Sequence, residues 1–304
     1  MVQFGEKALM KKYNSKEIKE FISKPLFYKK TFLNKDLNYP KISIVTPSYN
    51  QARYLEKTIL SILNQNYPNL EYIIIDGGST DGSVEIIKKY KKYLEYWVSE
   101  KDNGQADAIN KGFQKSSGQI LAWLNADDLY LPGTLFKVKD NFQKYRENNF
   151  IYGHSLLIGK KDNIMRICYT IPQTYHSYIY DRGGNIFQGT VFWKRDVFYK
   201  YGGLDSKLYF ALEYKLFDNF FKYERGVFLN DILAAYRIHK ETKSSTVDKE
   251  LVKKEFISIR DIKANIILRI FYRVRRWIYY LYYGNFINTL KEIIRINFYR
   301  GKIV

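Results

Sequence analysis

At 304 residues the chain can hold one large domain or two and bury a substantial core. It carries 50 Lys and Arg against 31 Asp and Glu, a formal charge of +19, and the excess lies at the ends: nine Lys against four acids in 1–40, ten Lys and Arg against two acids in 257–304. One cysteine, Cys168, excludes an internal disulfide and a cysteine-rich zinc site, and no uncharged stretch reaches the length of a membrane span.

Basic ends suit an anionic membrane surface, nucleic acid or a polyanionic substrate. Residues 1–40 read as a basic arm. Within it Ser15–Ile22 is predicted as a helix, with Ser15 as N-cap and Ile18, Phe21 and Ile22 on one side. The opening MVQFGEKALMKKY lacks the apolar core of a signal peptide, so the expected location is cytoplasmic.

In KISIVTPSYN, Ile42, Ile44 and Val45 form a short strand that Pro47 is expected to end. Tyr54, Leu55, Ile59, Ile62 and Leu63 follow at helical spacing. Glu71–Ile75 is a second strand, closed by the glycine-rich run Asp76–Gly82, and Ser83–Tyr90 is a helix. Strand, helix, strand, helix at this spacing is a βαβ unit on a parallel sheet. Neither G-x-G-x-x-G nor a P-loop motif occurs. Instead Asp76 stands at a strand's carboxyl edge, where it can accept hydrogen bonds from a base or ribose, or start a turn. Asp81 reads as a cap for the next helix.

Glu95–Ser99 is a third strand, and Gln105–Lys115 a helix with Ala106, Ile109 and Phe113 inward. Leu121–Leu129, LAWLNADDL, is a buried strand ending in Asp127 and Asp128. Adjacent carboxylates repel, and a hard divalent cation that also binds a diphosphate would satisfy both. The other reading is a solvated turn before the helix that opens at Pro132-Gly133. Cys168, in the apolar run Ile164–Tyr169, is expected to be a buried small side chain.

TPSYN at 46–50, IIIDGGSTDGS at 73–83, DNGQADAINKG at 102–112 and LAWLNADD at 121–128 stand in order. Together they resemble the nucleotide-sugar half of a family 2 glycosyltransferase of GT-A fold. FQGTVFWKRDVFYKYGGLD (187–205), ALEYKLF (211–217) and LAAYRIHKETKSS (233–245) are similar to its acceptor-side segment, base-bearing helix and closing strand. The resemblance covers about two-thirds of the chain, roughly 41–245.

It implies an α/β fold, with a mixed, mainly parallel sheet flanked by helices. The GT-A domain would run from 41 to 245, its nucleotide-sugar half 41–130 and its acceptor half 131–245, followed by a basic helical extension, 246–304. The nucleotide-sugar set it implies is Pro47, Tyr49, Asn50, Asp76, Asp107 and Asp127. A divalent metal, Mn2+ or Mg2+, would lie on Asp127, Asp128 and His239, and Gln188 and Arg237 would face the acceptor or the diphosphate. Asn125 stands where many members carry a first Asp, so it stays outside the metal shell. The family's base is an Asp opening a D-Y-D-L-W helix; here the match is Glu213-Tyr214-Lys215-Leu216-Phe217, which makes Glu213 the base and puts Lys215 in place of a second acid.

In 263–283, Ile267, Ile270, Phe271, Val274, Trp277, Ile278 and Leu281 form one helical stripe opposite Arg269, Arg273 and Arg276. Such a helix either lies on the inner face of an anionic membrane or packs on the domain with its arginines in water. A second short helix is predicted around Ile287–Ile294. A processive synthase is not indicated: RVRRW lacks the family's Gln, and there are no spans.

The resulting expectation is a metal-dependent inverting transferase. It would move one sugar from a nucleotide diphosphate sugar to a hydroxyl of a glycan or lipid-linked acceptor. Two alternatives stand beside it. One is a degenerate sugar-nucleotide-binding scaffold; the other is a nucleotidyltransferase, which would release pyrophosphate. Nucleic acid is not an expected partner, because the charge sits at the termini and no such motif appears.

Overall fold

The computed structural model describes residues 15–27, 35–180, 186–259 and 266–282; the helix expected at Ile287–Ile294 lies outside them. The helices are α1 (Ser15–Ser23), α2 (Ala52–Leu63), α3 (Ser83–Tyr90), α4 (Gln105–Lys115), α5 (Thr134–Lys144), α6 (Tyr175–Tyr180), α7 (Arg195–Lys200), α8 (Leu212–Tyr223), α9 (Lys243–Thr246), α10 (Lys249–Ile259) and α11 (Ile266–Tyr282). The strands are β1 (Ile42–Ser48), β2 (Leu70–Asp76), β3 (Tyr96–Ser99), β4 (Ile120–Trp123), β5 (Leu129–Tyr130), β6 (Phe150–Gly159), β7 (Ile164–Cys168), β8 (Phe192–Lys194) and β9 (Gly226–Ile238).

The central strands are apolar on both faces, as a sheet covered on both sides requires. Ile42 and Ile44 of β1, Tyr72 and Ile74 of β2 and Ala122 of β4 face one core with Leu55, Ile59 and Ile62 of α2. The alternate residues Val45, Ile73, Ile75, Leu121 and Trp123 face the other, with Ile109 and Phe113 of α4 and Leu216, Phe217 and Phe220 of α8. The Gly112 backbone lies so close to Val45 that a methyl group there would collide with it.

The nine strands form one sheet in the order β3-β2-β1-β4-β8-β6-β9-β5, with β7 on β6. Strands β3, β2, β1 and β4 are mutually parallel. Short β8 is antiparallel to both β4 and β6, so β6 and its parallel partner β9 run the same way as β4. The carboxyl ends of β1, β2, β3, β4 and β9 therefore share one edge, where open α/β sheets hold ligands.

Three local expectations are revised. Pro47 does not end β1: the strand runs on to Ser48, with Pro47 beside Ile75. Pairing with β4 stops at Val45–Trp123, so Pro47 sits where the strand has a neighbour on one side only. Cys168, at the end of β7, is half-buried rather than buried. In α11, Ile270, Phe271, Val274 and Ile278 are exposed, while Arg276 is buried and Tyr272 stacks on Tyr180 of α6. The apolar stripe faces outward, contrary to the reading with arginines in water.

Helix α1 buries Ile18, Phe21 and Ile22 against Leu129, Leu131, Leu156 and Ile232. Asn64, just past α2, holds the chain that follows α1: its side chain donates to the Phe21 and Lys24 carbonyls and accepts from the Leu26 N–H. No helix among the described residues is long and apolar enough to cross a membrane.

Candidate active site

The loop after β2 is built around Asp76, which is fully buried. Its carboxylate accepts from the Gly78 and Ser79 N–H groups and from the hydroxyls of Ser79 and Ser99, at 2.6–3.2 Å. Asn50, in the left-handed region at φ 51°, locks the loop after β1 to the same turn. It donates its backbone N–H to Ser79 Oγ and accepts from the Thr80 N–H. Asp81 accepts from Ala52 N and Ser83 N, so it caps the entries of two helices, α2 and α3. These hydrogen bonds hold its carboxyl below the usual range despite partial burial. Tyr49 is exposed at the mouth, and Pro47 is buried beneath it.

Asp102 lies over the same turn. A Cβ on Gly77 would meet its carboxylate at 2.8 Å, and its Oδ1 accepts from Gly104 N. Asp107, in the first turn of α4, accepts from Asn103 N at 3.0 Å and faces Lys111 at 3.4 Å.

Beyond β4 the chain turns through Asn125–Asp128. Thr58 of α2 pins this turn, its hydroxyl lying 2.9 Å from the Ala126 carbonyl and 2.8 Å from that of Asp128. Asp128 is 1% exposed. It accepts from the Arg237 backbone N–H at 2.9 Å and the Asn125 amide at 3.2 Å. Burial, and then the charge of Asp127, push its carboxyl well above the ordinary range. Asp127 is partly exposed, its Oδ2 lying 3.0 Å from His239 Nε2. Among the described residues no three His, Cys, Asp or Glu side chains stand in metal-holding geometry.

Arg237, at the end of β9, has no exposed surface. Its Nε donates to the Asp127 carbonyl at 2.7 Å and its Nη1 to Asp162 Oδ1 at 2.7 Å and the Gly159 carbonyl at 3.1 Å. Tyr54 of α2 lies under the guanidinium at 4.8 Å and against the His239 ring at 4.7 Å. Gln188 is buried and donates to the Trp123 carbonyl at 2.6 Å, leaving its Oε1 without a partner. Trp193 packs in the core on Trp123, Phe113 and Phe198.

Glu213 is half-buried in the first turn of α8, and burial pushes its carboxyl up to about 7. Lys243, also half-buried, lies over the Tyr209 ring at 4.3 Å; desolvation lowers the ammonium's proton affinity against the pull of Glu213 and Glu255. Lys243 Nζ donates to Gln105 Oε1 at 2.7 Å, the Gln105 amide to Asn125 Oδ1 at 2.8 Å, and the Asn125 amide to Asp128. A continuous polar chain thus runs from Lys243 to Asp128. Lys215 points elsewhere, pairing with Asp205 at 2.6 Å.

Sequence reasoning did not single out Tyr54, Asp102, Gln105, Asp162, Lys243 or Glu255. Asp102 and Gln105 lie inside the DNGQADAINKG segment, and Lys243 lies just past His239, so position along the chain was the signal available for those three.

An uncharacterized glycosyltransferase of Rickettsia prowazekii, RP339, is 27% identical over 231 residues, covering 73% of this chain and 72% of the relative. The putative teichuronic acid biosynthesis glycosyltransferase TuaG of Bacillus subtilis is 36% identical over 122 residues, 39% of this chain and 48% of TuaG. In other relatives the match covers a smaller share, 16% of one from Rickettsia bellii and 33% of one from Nostoc. Among solved structures, the Pyrobaculum calidifontis mannosyltransferase PcManGT, in complex with GDP-Man and Mn2+, superposes with TM-score 0.57 at 17% identity. That match covers 92% of this chain and 81% of PcManGT. TarS 1–349 of S. aureus, in complex with UDP-GlcNAc, gives TM-score 0.54 at 15% identity over 87% of this chain and 76% of TarS 1–349. At such identities the structures speak for the fold. The profile of Glycosyl transferase family 2 matches residues 43–202, more than half of the chain, and to that family the chain belongs.

Proposed function

We propose that this protein is a metal-dependent, inverting glycosyltransferase that moves one sugar from a nucleoside diphosphate sugar to a hydroxyl of a glycan or lipid-linked acceptor. The observation that carries the reading is Glu213. It is a half-buried carboxyl raised to about 7, under the charge of Lys243, which is itself hydrogen-bonded through Gln105 and Asn125 to Asp128. A base poised near working pH is what proton abstraction from a hydroxyl requires.

In this mechanism Glu213 takes the acceptor hydroxyl proton as the oxygen attacks the anomeric carbon. The bond from that carbon to the diphosphate oxygen breaks, and the nucleoside diphosphate leaves from the opposite face. The Gly-rich turn organised by Asp76 and Asn50 receives the nucleoside, with Tyr49 and Asp102 at its edge. Asp107 contributes by shaping the entry of α4. Gln188, with its orphaned Oε1, faces the acceptor.

Asp127, Asp128 and His239 fit a hard divalent cation by donor type: two adjacent carboxylates and an imidazole whose Nε2 faces Asp127 Oδ2 at 3.0 Å. Bound there, the cation would offset charge on the diphosphate leaving group. Arg237 acts from behind this set, holding Asp127 and Asp128 through the protein rather than touching the diphosphate.

The same reading puts the protein on an anionic membrane surface through α11. This helix carries four Arg, no acid and an exposed face of Ile270, Phe271, Val274 and Ile278. Co-sedimentation with anionic vesicles that Phe271→Glu abolishes, and no binding to neutral ones, is expected.

The deciding experiment is thermal unfolding with a panel of nucleotide sugars, each with Mn2+ and with EDTA, followed by product analysis. A metal-dependent shift and release of a nucleoside diphosphate are expected. Release of pyrophosphate from a triphosphate would instead make it a nucleotidyltransferase, and binding without turnover a degenerate scaffold.

A further inference from the structure

The helix that carries Glu213 has no cap of its own: its N-cap is Ala211, whose methyl group cannot accept a hydrogen bond. The three N–H groups ahead of the helix are taken by a carboxylate from far along the chain. Glu255 of α10 accepts from Tyr209 N at 2.6 Å, Phe210 N at 2.8 Å and Ala211 N at 2.8 Å, across 44 to 46 residues. Its side chain is 7% exposed. The next residue, Phe256, packs edge-on against Tyr214, the neighbour of Glu213, with ring centres 4.8 Å apart.

A buried carboxylate needs a counter-charge. Lys243 supplies it and also lies over the Tyr209 ring at 4.3 Å. Lys243 and Glu255 are the charged groups that act on Glu213, with opposite signs. Lys215 on the same helix is engaged by Asp205 from the preceding loop. Glu213 is therefore acted on by one positive and one negative charge, both from the segment after the closing strand β9.

We propose that Glu255 and Lys243 are positioning residues for Glu213. Glu255 fixes the entry of the helix that presents the base, and Lys243 balances its charge and ties that corner to Gln105. Residues 242–259 then belong to the catalytic unit rather than to an appended tail. The inference rests on Glu213 being the base.

The test is the pH profile of kcat/KM in Glu255→Gln and Lys243→Met, with Glu213→Gln as reference and folding checked by melting. Removing the Glu255 charge lets Glu213 ionise more easily, so the acid limb moves down by at least ~0.5 unit. Removing the Lys243 charge moves it up by a similar amount, ~0.5 unit. Glu255→Gln also lowers kcat about tenfold with little change in donor KM, since a misplaced base costs turnover rather than donor binding. Unchanged acid limbs in both variants, with only the melting temperature reduced, would reduce Glu255 to a structural cap and overturn the proposal. If Glu255→Gln does not fold, Lys243→Met decides alone: an upward shift supports the proposal and an unshifted limb overturns it. Full turnover by Glu213→Gln would instead sink the base assignment, a separate outcome.

Discussion

Arg237 and Asp162 form an ion pair at 2.7 Å between a fully buried guanidinium and a carboxylate in the β6–β7 turn. Lys57 of α2 reaches the other oxygen of Asp162 at 2.5 Å. The turn is far from the acidic pair in sequence, yet through Arg237 it bears on the Asp127 carbonyl and on Asp128. Removing one partner of such a pair leaves a buried charge without compensation. Asp162→Ala is expected to cost about 3 kcal/mol in urea unfolding. A loss below about 1 kcal/mol, the range of surface pairs, would show that the pair does not anchor the site.

Glu213→Gln keeps the shape and removes the base. Its kcat should fall by about 10²–10⁴-fold with donor binding retained. With Glu213 as the proposed base, activity of the natural protein should fall as pH drops through about 7, because a carboxyl takes a proton only when ionised. The stability effect has the opposite sense. A carboxyl raised in the folded state binds its proton longer there than in the unfolded chain. Its contribution is full below the ordinary carboxyl value of 4.5 and is lost as pH rises through about 7. Chemical denaturation at pH 5 and pH 8, comparing Glu213→Gln with the parent, isolates that contribution.

Thr58→Val removes a hydroxyl that touches two carbonyls of the acidic turn and keeps the side-chain volume. It should lower stability by about 1 kcal/mol. It should also raise the Mn2+ needed for half activity by about tenfold, the usual cost of losing an outer partner of a metal ligand. Equal Mn2+ dependence in variant and parent would detach Thr58 from the metal.

EDTA should abolish turnover, and His239→Ala should raise the Mn2+ needed for half activity by about tenfold or more. Undiminished turnover in EDTA by metal-stripped protein would reject the metal reading.

Gly112→Ala places a methyl group against Val45 of the central strand. Overpacking of that kind costs about 1–3 kcal/mol. Activity per folded molecule should be unaltered, which denaturation and specific-activity measurements can separate.

Much of the donor half was legible because its signals are local. The helix Gln105–Lys115 has its predicted bounds, and the order strand, helix, strand, helix marked β1 and β2 as neighbours in a parallel sheet. The acidic pair stood out as two adjacent carboxylates after an apolar run, but the strand expected to run through Leu121–Leu129 stops at Trp123, and the pair lies in the turn beyond it. Arg237 was harder. An arginine beside a strand end looks like a diphosphate ligand, and only the fold reveals that the side chain turns inward onto Asp162. Asp162 gave no signal, since its role depends on a turn where it adopts φ 62°. Glu255 reads as one charge among many on a basic amphipathic helix. Its partners are backbone groups, which carry no residue identity for sequence pattern to register. The outward apolar face of α11 was undecidable for a similar reason: periodicity tells which residues share a face, not what that face meets.

The arrangement of β9 also sets an order on synthesis. The parallel unit β1–β4 closes through short-range connections and can assemble while later residues are still being added. Asp128 emerges 109 residues ahead of the Arg237 backbone that holds it. During that interval a nascent chain would own the Gly-rich turn around Asp76 and an acidic turn without its back wall. Competence for sugar transfer would arrive late and all at once, when β9 slots beside β6 and the segment behind it grips the helix of Glu213.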